Sequence, residues 1–404
     1  MRHFLNHAPC NLTYTKDDHI WIDFALRTMP GQSMRSIKQF LRAKYGENRQ
    51  ITDDNYDKSL AVKCINGTFV GRKTDGVIAY KGIPFVGAQP VGDLRWKAPV
   101  DYTADDGVYE AYYIAKSPRQ HETLDEEASL YVQGEDCLNL NIWKAEDAGD
   151  EKKPVMVWIH GGAFELGGTI DPLYEAHNFV KENPDVIVAS IEYRVGVFGF
   201  FHLSHLPYGQ DYPDAQNLGL LDQMMALKWI HENIEAFGGD PGNVTIWGES
   251  AGAGSVTLLP LIEGSHEYFQ RVIAQSGAPV FTRSTEEAIG CTNVMDILGC
   301  KTVAELQEAD VEKVLKVCAA KLGLRVLPER DGNLLPSDPY EAYINGTAKD
   351  LEILQGCNKD EMGYFICGFG LKPYTAWAAD VYDVRCYLNR ELVLLCEREH
   401  IRRL

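Results

Sequence analysis

Residues 244 to 258 read VTIWGESAGAGSVTL: a short β-branched run, a Gly-x-Ser-x-Gly pentapeptide, then a small-residue apolar stretch of helical character. Gly248 and Gly252 flank Ser250 where any Cβ would crowd a sharp turn. The backbone can therefore fold tightly and lift the Ser250 hydroxyl clear of a sheet. The same turn aims the first N–H groups of the helix at whatever oxygen sits beside the serine. A bare pentapeptide is weak evidence in a chain with 36 glycines. Its place between strand and helix gives it weight, because that is the setting in which a nucleophilic serine is presented. A dinucleotide-binding turn would read GxGxxG and a phosphate-binding loop GK[ST], and neither stands here.

The surrounding pattern supplies the rest of such a fold. Val155–Ile159, Val186–Ile191 and Val244–Trp247 are short apolar runs bounded by turn formers, as expected of buried strands in a parallel sheet. Between the last two, Leu220, Met224, Leu227 and Ile230 share one helical stripe that Gly238-Gly239 should stop. Strand, helix and strand in this order predict an α/β architecture, a mostly parallel doubly wound sheet flanked by helices.

The first of these strands runs into His160-Gly161-Gly162-Ala163-Phe164. Small residues there would let backbone N–H groups approach a substrate carbonyl, which matches an HGG-type oxyanion loop. The N–H groups of Gly162, Ala163 and Ala251 are the candidate donors. His160 could be read as a general base, but its position ends the strand beneath the loop and suits a residue that orients it.

Composition narrows the function classes. The net charge of −19 would repel nucleic-acid phosphates. No stretch approaches the roughly 18 to 20 apolar residues of a membrane span, and MRHFLNHAPCNLTYT has no apolar core after Arg2, so a cytoplasmic protein is expected. Ten scattered cysteines form no CxxC or Cys/His zinc pattern. They read as reduced, mostly buried thiols, and no metal is expected. Residues 1–58 hold nine Lys/Arg and seven Asp/Glu, +2 net, against −21 for the remainder. There Ser33 could cap a helix through Ile37, Phe40 and Leu41 that either packs on its own domain or docks elsewhere, and ITDDNYDKS reads as a polar linker. The expected organisation is an extension and linker over 1–58 and one catalytic-type domain over 59–404.

At these residues the sequence resembles the type-B carboxylesterases, relatives of the cholinesterases, which have the α/β-hydrolase fold. FGGDPGNVTIWGESAG (237–252) resembles the family's serine signature and GEDCLNLNIW (134–143) its second signature. Family-like blocks also occur at YKGIPFVGAQPVGDLRW (80–96), EYRVGVFGF (192–200), NLGLLDQMMALKWIHENI (217–234) and QSGA (275–278), so the likeness spans about residues 59 to 370. It implies hydrolysis of small-molecule carboxylic esters through an acyl-enzyme, without cofactor. By position it makes Ser250 the nucleophile and Gly162, Ala163 and Ala251 the oxyanion hole. The segment NKDEMGYF makes Glu361 the triad carboxylate, although Asp360-Glu361 alone would read as a solvated acidic pair. Glu249 and Ser276 resemble residues that support the serine turn.

Two departures from the family bear on activity. Where secreted relatives carry a cysteine that pairs with the one in EDC, this chain reads Ser117-Pro118-Arg119-Gln120, which leaves Cys137 without that partner. In this fold the triad runs Ser, acid, His. After Glu361 the sequence contains one histidine, His400, in EREHIRRL behind a stripe of Leu388, Leu392, Leu395 and Cys396, earlier than the family's spacing. His400 is therefore not expected to be the base, and the domain is expected to lack its C-terminal part. Three functions follow: a cytoplasmic carboxylesterase, an impaired esterase without its histidine, or a non-catalytic binding protein of the same fold. Neither ester preference nor oligomeric state has a signal in the sequence.

Overall fold

The structure is a computed structural model that describes residues 46–358 apart from 121–131, 148, 150, 290–293 and 323–325. The helix predicted after Ser33, Glu361 and His400 lie outside the described residues. Among those residues the central sheet has eight strands, numbered here in chain order: β1 Arg72–Thr74, β2 Val77–Pro84, β3 Asn139–Ala145, β4 Lys153–Ile159, β5 Ile187–Ile191, β6 Gly239–Glu249, β7 Arg271–Gln275 and β8 Glu352–Gly356. Across the sheet they lie in the order β8-β7-β6-β4-β5-β3-β2-β1. From β5 to β8 every neighbouring pair is parallel, while β3 runs antiparallel to β5 and β2, and β2 to β1. This is the mostly parallel sheet of an α/β-hydrolase.

Each predicted strand is present. The run Val244–Trp247 lies inside the longer β6, whose register against β4 shifts between Gly239 and Val244. The cause is a local turn in which Gly242 N–H donates to the Asp240 carboxylate at 2.9 Å.

Alternate residues of the sheet face two different layers. Val155, Val157, Ile159, Ile187, Ala189, Ile191, Val244 and Ile246 enter the main core, together with Leu220, Leu227 and Ile230. On the opposite face Trp158 packs on Trp247 at 4.5 Å. There Trp143 and Val188 meet Val180 of helix α1, His177–Glu182. Helix α2, Leu218–Asn233, carries the predicted stripe, continues as a 3₁₀ turn over Ile234–Phe237, and stops at Gly238 with φ 90°. Gly239 instead opens β6. Helix α3, Ala251–Leu258, follows Ser250 directly and is buried throughout.

A separate three-stranded sheet, Ala61–Cys64, Asn66–Val70 and Asp105–Glu110, is tied to the end of α2. Asn233 accepts from Ile65 N–H at 2.8 Å, and the Trp229 indole donates to Asn66 at 2.9 Å. Residues 48–51 pack on the same sheet. Gln50 bridges Tyr109, and Ile51 N–H donates to the Val108 carbonyl at 2.7 Å. The Asn48 amide donates to the carbonyls of Lys81 and Tyr113 and accepts from the N–H groups of Tyr112 and Tyr113.

Among the described residues no helix is long and apolar enough to cross a membrane. Cys64, Cys137 and Cys318 are buried, Cys300 is partly buried and Cys357 exposed, all as free thiols. Burial pushes the Cys64 and Cys318 thiols up to about 12, so neither is a reactive thiolate.

Candidate active site

Ser250 stands at the carboxyl end of β6 with φ 57° and ψ −121°, a backbone conformation that costs a non-glycine residue roughly 1 to 3 kcal/mol. Two hydrogen bonds hold it there: Ser250 N–H donates to the Gln275 carbonyl, and Gly254 N–H donates to the Ser250 carbonyl, each at 2.9 Å. The turn is as tight as the glycines imply. A Cβ on Gly252 would stand 2.1 Å from the Ile159 carbonyl oxygen, and one on Gly248 would stand 2.6 Å from the Gly252 carbonyl carbon. Both obstacles are backbone, so no side-chain shift relieves them.

The loop after β4 lies against this turn. A Cβ on Gly161 would come within 2.7 Å of the Glu249 carbonyl and 3.3 Å of the Ser250 Cβ. Gly162, Ala163 and Phe164 all have positive φ, 112°, 60° and 60°. Two successive non-glycine residues in that region cost roughly 1 to 2 kcal/mol each. Packing holds them: Phe164 is fully buried against Phe200, with centroids 5.2 Å apart, and its carbonyl accepts from Gly196 N–H at 2.6 Å. The loop closes on itself through Glu165 and Leu166 N–H groups that both donate to the Gly162 carbonyl. The N–H groups of Gly162, Ala163 and Ala251 donate to no other described residue. Ala163 is exposed and Ser250 partly so, and both adjoin solvent where a carbonyl could enter.

His160 is fully buried beneath the loop, as its position in the sequence implied. Its Nδ1 lies 2.9 Å from the Gly161 carbonyl, and its ring stacks on Tyr193 at 4.3 Å. Its Nε2 faces the Glu192 carboxylate at 3.5 Å. With both ring nitrogens turned inward it cannot reach Ser250 Oγ. Among the described residues no histidine is hydrogen-bonded to that oxygen.

Several bracing residues have no role in the sequence reading. Glu192, Tyr193 and Arg194 follow β5 in direct succession, and each makes a different attachment. Glu192 accepts from the Thr169 N–H and hydroxyl at 2.7 and 2.8 Å. The Tyr193 hydroxyl donates to the His160 carbonyl at 2.8 Å. Arg194 forms a bidentate pair with Asp222 of α2, at 2.8 and 2.7 Å, both side chains buried. From the other side, Gln120 clamps Gly167, accepting from its N–H at 2.9 Å and donating to its carbonyl at 2.7 Å. Ser117 and Gln120 thus pack against residues 167 and 168 within the segment that departs from the family's cysteine pattern. The signal for the Glu192, Tyr193 and Arg194 roles was a charged and polar triplet, EYR, directly after a mostly apolar strand.

Glu249 and Ser276 both adjoin the turn: a Glu249 carboxylate oxygen comes within 3.3 Å of the Gly161 Cβ position, and Ser276 N–H donates to the Gly356 carbonyl at 2.7 Å. Because Gln275 pairs with Gly356 in register, β8 ends at the sheet edge that carries Ser250. Glu361 follows five positions later in sequence, outside the described residues.

Comparison with known proteins places this geometry in context. The profile of the Carboxylesterase family matches residues 58–382. The chain is 38% identical over 310 residues to the para-nitrobenzyl esterase of Bacillus subtilis (strain 168), covering 74% of this chain and 62% of that protein. It is 34% identical over 348 residues to the fumonisin B1 esterase of Sphingopyxis macrogoltabida, covering 83% and 61%. Among solved structures, a carboxylesterase of Geobacillus stearothermophilus superposes with a TM-score of 0.70 at 39% identity, over 76% of this chain and 63% of that one. A thermophilic pNB esterase superposes with a TM-score of 0.70 at 34% identity, over 80% and 68%. The chain spans about three fifths of the length of the curated relatives it matches.

Proposed function

This chain belongs to the carboxylesterase family, and on that premise we propose that it hydrolyses small carboxylic esters through an acyl-enzyme on Ser250. The observation that carries the reading is the strained Ser250 turn set against a loop in which the Gly162 and Ala163 N–H groups have no other described partner. In this reading the turn is a nucleophile elbow and the N–H groups of Gly162, Ala163 and Ala251 form the oxyanion hole.

With a complete triad, Ser250 Oγ would attack the ester carbonyl carbon while the histidine takes its proton, and Glu361 would hold that imidazole in the required tautomer. The carbonyl oxygen becomes an oxyanion within reach of the three N–H groups. They are held by the loop before reaction and so need no reorganisation; each such donor is worth roughly 3 to 4 kcal/mol of barrier. The imidazolium then protonates the departing alcohol, and water releases the acid by the same steps in reverse. Positive φ at Ala163 and Phe164 sets the loop's path, and the buried His160 ring, stacked on Tyr193, supports it from below.

A cytoplasmic location remains part of the proposal, supported by the free Cys137 where secreted relatives form a disulfide. The test is turnover of short-chain p-nitrophenyl esters by the purified chain, with kcat falling at least 10³-fold in Ser250→Ala. Labelling of Ser250 without turnover would support the impaired esterase. Neither labelling nor turnover, with a specific partner recovered, would support a binding protein.

A further inference from the structure

A second serine, far from Ser250 in sequence, stands in a relay of its own. His202 is almost wholly buried, and its Nδ1 lies 2.8 and 3.0 Å from the two carboxylate oxygens of Glu329, which is fully buried. Its Nε2 lies 3.0 Å from the hydroxyl of Ser204, an exposed residue two positions on. A carboxylate can only accept, so the Nδ1 that faces Glu329 carries a hydrogen. In the neutral form of that tautomer Nε2 is bare and accepts from the Ser204 hydroxyl, which is the arrangement a general base needs.

The carboxylate is held for this role. Glu329 accepts from the Thr285 hydroxyl at 2.6 Å, and its backbone is clamped by Asn217, which accepts from Glu329 N–H and donates to its carbonyl. Burial raises the Glu329 carboxyl, but the hydrogen bonds from His202 and Thr285 and the nearby Arg283 charge outweigh it and keep the group below its ordinary value. The His205 ring lies 4.9 Å from that of His202. Leu203, between the two relay residues, is fully buried, while Ser204 is exposed.

We propose that Ser204, His202 and Glu329 form a second nucleophilic site at the protein surface, which accepts the acyl group of activated aryl esters independently of Ser250. Ser204 Oγ forms a bond to the carbonyl carbon and its proton passes to His202 Nε2. The bond to the aryl oxygen breaks, and His202 Nε2 returns the proton to the departing oxygen, which leaves as the phenol. Phenolates are the leaving groups that demand least of a site. With a fluorophosphonate probe the same step forms an Oγ–P bond and expels fluoride.

The test uses a fluorophosphonate on the Ser250→Ala chain, read by intact mass and peptide mapping. One adduct at Ser204 is expected, absent from Ser204→Ala/Ser250→Ala. In Glu329→Gln/Ser250→Ala the new amide N–H faces Nδ1, reverses the tautomer and slows labelling at least 100-fold without loss of the folding transition. The proposal is overturned if Ser250→Ala gains no adduct at Ser204, or if folded Glu329→Gln/Ser250→Ala labels as fast. Failure here leaves Ser250 untouched, since its own reactivity is read in the unaltered chain.

Discussion

Glu165 lies two residues beyond Ala163 in the loop that faces Ser250, and burial pushes its carboxyl up to about 7, against the opposing pull of the Val326 N–H and the Arg283 charge. A carboxyl raised in this way keeps its proton in the folded chain after the unfolded chain has lost it. Stability therefore falls as pH rises from about 4.5 through about 7, by on the order of 3 kcal/mol. Glu165→Gln, neutral throughout, removes that loss: its melting temperature should match the parent's at pH 4 and exceed it by a few degrees at pH 8. A gap that does not change with pH would show the carboxyl to be solvated. Residues of this kind were only partly legible. The tight turn at Gly248, Ser250 and Gly252 could be read because it depends on backbone geometry within a few residues, and the close approaches to Ile159 and Gly252 show that tightness. Glu165 could not, because its environment comes from Val326 and Arg283, brought in from more than a hundred positions away.

Helix α2 shows the same division one level up. Its apolar stripe follows from a period of 3.6 and was visible directly; its buried polar residues were not. Asp222 looks like an ordinary surface acid until β5 delivers Arg194 beside it, with Arg194 N–H also donating to the carboxylate at 3.0 Å. Asp222→Ala would leave a guanidinium and an N–H buried without that partner, a cost of about 3 to 5 kcal/mol. Replacing both side chains with apolar residues of similar volume should cost less. Chemical denaturation of the single and double variants separates the two outcomes; equal losses would mean the pair contributes only packing. The pair also anchors the chain just after Tyr193, so ester turnover should fall in Asp222→Ala beyond what unfolding explains.

At the scale of the whole molecule, the strand order decides where chemistry can occur. The chain passes from β4 to β5 on one side and then returns to place β6 on the other side of β4, so the order reverses there. Ligands of open α/β sheets bind outside the carboxyl ends of strands at such a switch point. The loop after β4 and Ser250 after β6 are those two carboxyl ends. Asn48 ties the start of the described chain to Lys81, Tyr112 and Tyr113, so a chain beginning at residue 59 should melt several degrees below one beginning at 46, a loss of about 3 kcal/mol. Equal melting temperatures would support a division at residue 58. Period, turn chemistry and the two Gly-rich motifs determined by themselves that this is an α/β chain with a serine turn and an amide-bearing loop, because these depend on neighbours along the chain. Only the tertiary structure decided that the two motifs abut and that a second serine meets a histidine and a buried carboxylate. Those facts depend on which strands pair and which polar groups are shut away from water, and no local spacing encodes either.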